Sequence, residues 1–408
     1  MKKISILIFC LCSVLSQDFS SSMGLSPQRL EKLEQILGKY IQEQKISGMS
    51  TMIARRGKIV HFKHQGVAEI GGRKMQDDTI FRIYSMSKLV TSVAVMILHE
   101  EAHFQLYDPV SKYIPQFKDL KVFVAENEAG IQVEDMEREP TIRDLLTHTA
   151  GLTYGYFASS PVDTMYVDAK ILDRNTSLKG FVDKLTKMPL KHQPGSKWEY
   201  SISIDVLGYL IEVVSGQKFD VFLKERIFEP LGMNDTDFYV PVDKIDRFTV
   251  LYTSKDDKIV PFDSRIGYFS SVPAFLSGGG GLVSTAKDYM NFCTMLLQKG
   301  KFKDKQILSR KTVEFMMLNQ LNTEQLPYGT RRKMWGYGFG IGGSVMQDPA
   351  LAHTISSKGA FQWAGAANTF FVIDPKEQLV ALMFTQFWPF SNELGEKFRT
   401  LVQQTIVE

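Results

Sequence analysis

A hydroxyl and an amine stand three residues apart in Ser85-Met86-Ser87-Lys88, where a helix is expected to begin. On a helix, positions i and i+3 share one face, so the Lys88 ammonium reaches the Ser85 hydroxyl. A serine hydroxyl is a poor nucleophile near neutral pH unless a neighbour takes its proton. A lysine does so only where burial and nearby charge bring it toward the neutral amine. Four-residue patterns of this kind are common by chance, so the assignment depends on what else converges on the pair.

Tyr200 is the second candidate. It follows Pro194-Gly195-Ser196-Lys197-Trp198-Glu199 and precedes Ser201-Ile202-Ser203-Ile204-Asp205, at a loop-to-helix junction. Beside an ammonium such as Lys88 its phenolate form is favoured, which suits a general base or proton relay. A packing role describes most of the chain's 15 tyrosines, and Tyr200 alone does not stand out from them. The third candidate is Trp363-Ala364-Gly365-Ala366, followed by Asn368-Thr369-Phe370-Phe371-Val372-Ile373-Asp374-Pro375. Small residues on a strand let backbone approach a ligand closely. A free N–H there can join the N–H at a nucleophile to form an oxyanion hole, each donor being worth about 3–4 kcal/mol of barrier.

Together these segments resemble the serine β-lactamase and penicillin-binding-protein superfamily, in its class C-like branch, from about Leu25 to Thr405. The resemblance extends to Thr141-Ile142-Arg143-Asp144-Leu145-Leu146-Thr147-His148-Thr149-Ala150-Gly151-Leu152, to Glu229-Pro230-Leu231-Gly232-Met233 and to Gly279-Gly280-Gly281-Leu282-Val283-Ser284-Thr285-Ala286-Lys287-Asp288. It implies that Ser85 is the nucleophile, activated by Lys88 together with Tyr200. The backbone N–H groups of Ser85 and Ala366 would form the oxyanion hole, with Trp363 and Gly365 against the substrate. The implied reaction is acyl transfer in two steps, with a small-molecule ester or amide as substrate and no metal or organic cofactor.

Two departures narrow the activity. Class C β-lactamases carry Tyr-x-Asn where this chain has Tyr200-Ser201-Ile202, and Lys-Thr-Gly where it has Trp363-Ala364-Gly365. The missing amide and the missing cation remove partners for a substrate amide and carboxylate. Trp-x-Gly resembles the carboxylesterase and acyltransferase branch, so ester cleavage is expected. A β-lactamase or D-alanyl-D-alanine carboxypeptidase is the alternative enzyme. A non-catalytic relative binding in the cleft is the other, and retention of Ser85, Lys88 and Tyr200 together argues against it.

The elements that must position these residues are legible in outline. Leu25 to Gln44 has helical periodicity behind Ser26-Pro27, a cap followed by proline. Met49–Ala54 and Lys58–Val67 read as a hairpin around Arg56-Gly57. Ser85 to about Glu101 is an apolar helix, and Thr141–Leu146, Ile204–Ser215 and Thr285–Leu297 are further helices. Tyr337–Gly342, Ala352–Trp363, Asn368–Ile373 and Leu379–Thr385 read as strands, and Asn392–Ile406 as a closing helix. The expected fold is α/β, an antiparallel sheet flanked by helices in the β-lactamase manner, with an inserted all-α lobe. Residues 23–95 and 278–408 would form the α/β part and 96–277 the lobe, with the site in the cleft between.

The formal net charge is +3 over 408 residues, with no Lys or Arg run, which excludes an electrostatic case for nucleic acid. Lys2 and Lys3 before an apolar run from Ile4 to Leu15 read as a signal peptide over residues 1–16, too short to span a bilayer. Export is therefore expected, to periplasm or medium, with a cytoplasmic chain as the alternative and no stable membrane insertion. Cys10 and Cys12 would leave with that segment, so Cys293 would have no disulfide partner.

Other signals are set aside. His99-Glu100-Glu101-Ala102-His103 matches a zinc-protease pattern but falls where the helix is expected to end. The family resemblance implies an architectural turn around His148, and glycines 278 to 281 lack the following Lys-Ser or Lys-Thr of a phosphate loop. Tyr154-Gly155-Tyr156-Phe157-Ala158, with Met165, Tyr166 and Tyr268-Phe269, either walls the cleft with apolar surface or packs within the lobe.

Overall fold

The computed structural model describes residues 19–408 other than 129, 157–159, 265 and 331. The expected signal peptide with Cys10 and Cys12, and the aromatic-stretch residues Phe157 and Ala158, lie outside the described residues. Strand β1 (Gly48–Arg55) turns through Arg56-Gly57 into β2 (Lys58–Gly66). Much later come β3 (Tyr337–Phe339), β4 (Ser344–Met346), β5 (Phe361–Gly365), β6 (Thr369–Asp374) and β7 (Leu379–Thr385). They form one antiparallel sheet in the order β3-β4-β5-β6-β7-β1-β2. The register runs Met49 opposite Thr385 and Gly365 opposite Thr369.

Alternation along β7 explains the layers. Leu379, Ala381 and Met383 face α1 (Pro27–Gln42) and a carboxy-terminal helix (Asn392–Gln403), meeting Leu33, Leu37 and Phe398. Val380, Leu382 and Phe384 face the other way, toward Tyr289 and Phe292 of a helix at Ala286–Leu297. On that side also lies α2 (Ser87–Glu100), whose residues Ser87 to Leu98 are all buried. A helix apolar all round belongs in the middle of a molecule. Here it joins the sheet to a mainly helical segment through α3 (Ser203–Ser215), which packs along it.

The segment is not the all-α lobe expected from the sequence, for it also carries two hairpins, at Lys121–Asn127 with Gly130–Asp135 and at Leu251–Lys255 with Lys258–Asp263. Within the expected strand Ala352–Trp363, the regular strand starts only at Phe361, after Gly359, at a φ of +89°, turns the chain in beside Met346. No helix among the described residues is long and apolar enough to cross a membrane.

Candidate active site

The chain reaches Ser85 from a short strand, Ile80–Arg82, paired antiparallel with Val283–Thr285. Tyr84 to Met86 form a single 3₁₀ turn that runs into α2. Tyr84 has a φ of +41°, a left-handed conformation that bulky residues rarely adopt and that surrounding structure must hold. Arg82 supplies part of that hold. Fully buried, its guanidinium pairs with Asp263 at 3.0 Å, donates to the Thr249 carbonyl at 2.7 Å and stacks 4.0 Å from the Phe248 ring centre. The Tyr289 hydroxyl donates to the Met86 carbonyl at 3.0 Å on the far side of the turn. Burial pushes the Tyr84 phenol up to about 12, so it stays neutral.

Lys88 is 1% exposed, yet its amine meets polar atoms on every side. Nζ lies 3.3 Å from Ser85 Oγ, 2.8 Å from the Tyr154 hydroxyl and 2.5 Å from the Gly279 carbonyl. The glycine segment is held to the same helix face by two further bonds. Thr91 Oγ1 donates to the Gly278 carbonyl at 2.8 Å, and the Leu282 N–H donates to Ser87 Oγ at 3.1 Å. Gly279 is also bonded through its N–H to the buried carboxylate of Asp205 at 3.0 Å.

Tyr200 approaches differently from the expectation. Its ring face, not a bonded hydroxyl, lies 4.7 Å from Lys88 Nζ. Among the described residues the Tyr200 hydroxyl has no hydrogen-bond partner, and the half-buried side chain sits between other rings. Its centroid is 5.0 Å from His148, 5.2 Å from Tyr154 and 5.7 Å from Trp363. His148, at a φ of +57°, places Nδ1 3.1 Å from Ser201 Oγ. Burial first and the Lys88 charge second hold this imidazole neutral, well below its usual range. Tyr154 is kept as a phenol for a related reason, burial above all and then the Asp205 charge.

One ammonium ties together the loops that carry the two tyrosines. Lys191 bonds Asp163 at 3.1 Å and Glu199 at 2.8 Å, all three being buried. Asp163 Oδ1 accepts from Thr153, next to Tyr154, at 2.6 Å, while Glu199 precedes Tyr200.

The end of β5 closes the site. A Cβ on Gly365 would fall 2.3 Å from the Ile83 carbonyl and 2.3 Å from Thr369 Oγ1, so only glycine lets the strand lie against the turn that carries Ser85. Ala366, the next residue, leaves β5, and its N–H makes no hydrogen bond among the described residues. Trp363 is half-buried, its ring 5.3 Å from Phe339 and directed into the cluster around Tyr200.

The structure thus gathers Ser85, Lys88, Tyr200, Trp363, Gly365 and Ala366 into one region. Sequence reasoning missed three participants: the Tyr154 hydroxyl, the Gly279 backbone and Asp205. A carboxylate on a helix otherwise reading Ile-Val-Leu-Gly was the available signal for Asp205. For the zinc-protease pattern, α2 ends at Glu100 and Ala102 turns left-handed at φ +61°, so the two histidines do not share a helix face.

Across residues 33–404 the sequence matches the Beta-lactamase family. It is 35% identical over 352 residues to Protein Rv1367c of Mycobacterium tuberculosis, covering 84% of this chain and 86% of that one. It is 28% identical over 375 residues to Esterase EstB of Burkholderia gladioli, with 87% and 89% covered. Among solved structures, EstCE1, described as a hydrolase with promiscuous acyltransferase activity, superposes with a TM-score of 0.79. That match has 27% identity and covers 92% of this chain and 99% of the other.

Proposed function

The chain belongs to the Beta-lactamase family, a serine hydrolase family with esterase and acyltransferase relatives, and we propose that it cleaves carboxylic esters through an acyl-enzyme on Ser85. The observation that supports this most is the coordination of Lys88 Nζ by Ser85, Tyr154 and Gly279. When it acts as the base, having given up one proton, Lys88 keeps two N–H groups for the Tyr154 and Gly279 oxygens and turns its lone pair to Ser85 Oγ. The 3.3 Å separation is the longest of the three, as expected of a catalytic bond that tightens only with substrate present.

In the first step Ser85 Oγ attacks the ester carbonyl carbon and its proton passes to Lys88. The N–H groups of Ser85 and Ala366 hold the resulting oxyanion. The carbon–oxygen bond to the alcohol then breaks, and Tyr200 protonates the departing alkoxide and regains a proton from Lys88. In the second step water, or another alcohol, gives its proton to the Tyr200–Lys88 pair as it attacks the acyl carbon. Ser85 leaves with a proton, and the product is an acid or a new ester. Trp363 offers an apolar face where a lysine would attract a carboxylate, which favours neutral esters over β-lactams.

Nitrophenyl-ester turnover tests the reading directly. It should vanish in Ser85→Ala, together with fluorophosphonate labelling of the protein. Full activity in that variant would place the nucleophile elsewhere.

A further inference from the structure

Asp205 opens α3 and is 1% exposed. Its Oδ1 accepts from the Gly279 N–H at 3.0 Å and from the Ser277 hydroxyl at 2.5 Å. The carbonyl of that same Gly279 receives Lys88. One residue therefore links carboxylate and amine, through its N–H on one side and its C=O on the other. Oδ2 is buried with no hydrogen-bond partner among the described residues. A Cβ on Gly279 would lie 2.5 Å from Oδ2 and 3.0 Å from the Tyr154 hydroxyl, so both oxygens border one glycine-sized gap.

A carboxylate oxygen left bare in a dry interior is costly unless an opposing charge faces it. Lys88 is that charge, and Tyr154, Tyr156 and Tyr268 are the other titratable groups that feel Asp205. A purely structural acid would be expected to place both oxygens on donors.

We propose that Asp205 is a positioning residue of the acyl-transfer centre, holding the Gly279 carbonyl on the Lys88 amine and setting a negative charge opposite it. The proposal rests on the ester-cleaving reading above. Asp205 touches no reacting atom and acts through Lys88.

The Asp205→Asn variant keeps an oxygen for Gly279 and Ser277 and removes the charge. Its kcat/KM for a nitrophenyl ester is measured against pH beside the wild type, with fluorophosphonate labelling of Ser85 in both. Without the facing charge the acid limb of the kcat/KM profile is displaced from that of the wild type. An acid limb that coincides with the wild type overturns the assignment. Should the Asn chain fail to fold, Ser277→Ala removes one donor from Oδ1 and is expected to lower kcat severalfold at unchanged KM. An unaltered kcat there overturns it equally. A wild type that neither turns over esters nor labels at Ser85 defeats the ester reading itself, and this assignment with it. An active wild type with an unmoved variant defeats the Asp205 role alone.

Discussion

Removing the Tyr154 hydroxyl is the sharpest test of how Lys88 works. In Tyr154→Phe the ring remains stacked on Tyr156, whose centroid is 5.4 Å away at 11°, so packing is conserved. What disappears is the oxygen 2.8 Å from the amine of Lys88, a residue only 1% exposed. A hydrogen bond to a charged group contributes about 1.5–3 kcal/mol. On the proposed mechanism that bond is strongest when Lys88 has just received the Ser85 proton and become an ammonium, so the loss falls on the chemical step. The expected effect is a drop in the acylation rate of about ten- to 150-fold with KM little changed. Burst kinetics with a nitrophenyl ester read the acylation rate separately from deacylation. A burst rate within twofold of the wild type, in a variant that melts normally, would refute the claim that Tyr154 stabilises the charged lysine.

Other substitutions probe the supports. Gly365→Ala drives a methyl into the Ile83 carbonyl and Thr369, and overpacking of this kind costs about 1–3 kcal/mol. Because Ala366 moves with the strand, the variant should also lose on the order of a hundredfold in kcat, read by steady-state kinetics beside a melting curve. Lys191→Ala leaves Asp163 and Glu199 buried without their shared cation, which predicts a loss of about 3–5 kcal/mol in a urea titration. His61 gives a pH test. Burial first, with Lys63 second, lowers it from 6.5 to about 4 in the folded chain. Above 6.5 both states are neutral and pH has no effect through this group. As pH falls toward 4 the unfolded chain takes the proton first, so stability is lost by up to about 3 kcal/mol. Urea midpoints between pH 7 and 4 should therefore fall more steeply for the wild type than for His61→Gln, and parallel slopes would contradict the assignment.

Local chemistry made part of this legible in advance. Arg56-Gly57 fixes the β1–β2 turn, and the unbroken apolar run from Leu379 to Phe384 suits a strand buried on both faces. Ser85 and Lys88 are neighbours by helix geometry alone, so their contact is written in four residues. Tyr154 is 66 positions from Lys88, and its role depends on a loop folding back across α2. Nothing in Leu-Thr-Tyr-Gly-Tyr distinguishes that hydroxyl from one at the surface. The glycine run supports the family resemblance and lacks the mark of a phosphate loop, but its letters do not show that it offers a carbonyl to an amine and an amide to an acid. Such backbone roles leave little trace in side-chain patterns.

The bridge made by Lys191 has a consequence for substrate choice. Because a single cation spans Asp163 and Glu199, the two phenols beside the lysine travel as one piece. A bulky acyl group that wedged them apart would have to tear that ion triplet in a dry interior. On the ester-cleaving proposal, room for larger acyl groups is found instead at the rim, where Tyr156 and Tyr268 are 63% and 46% exposed. Chain-length preference can then drift at the entrance while the proton-handling centre is left untouched.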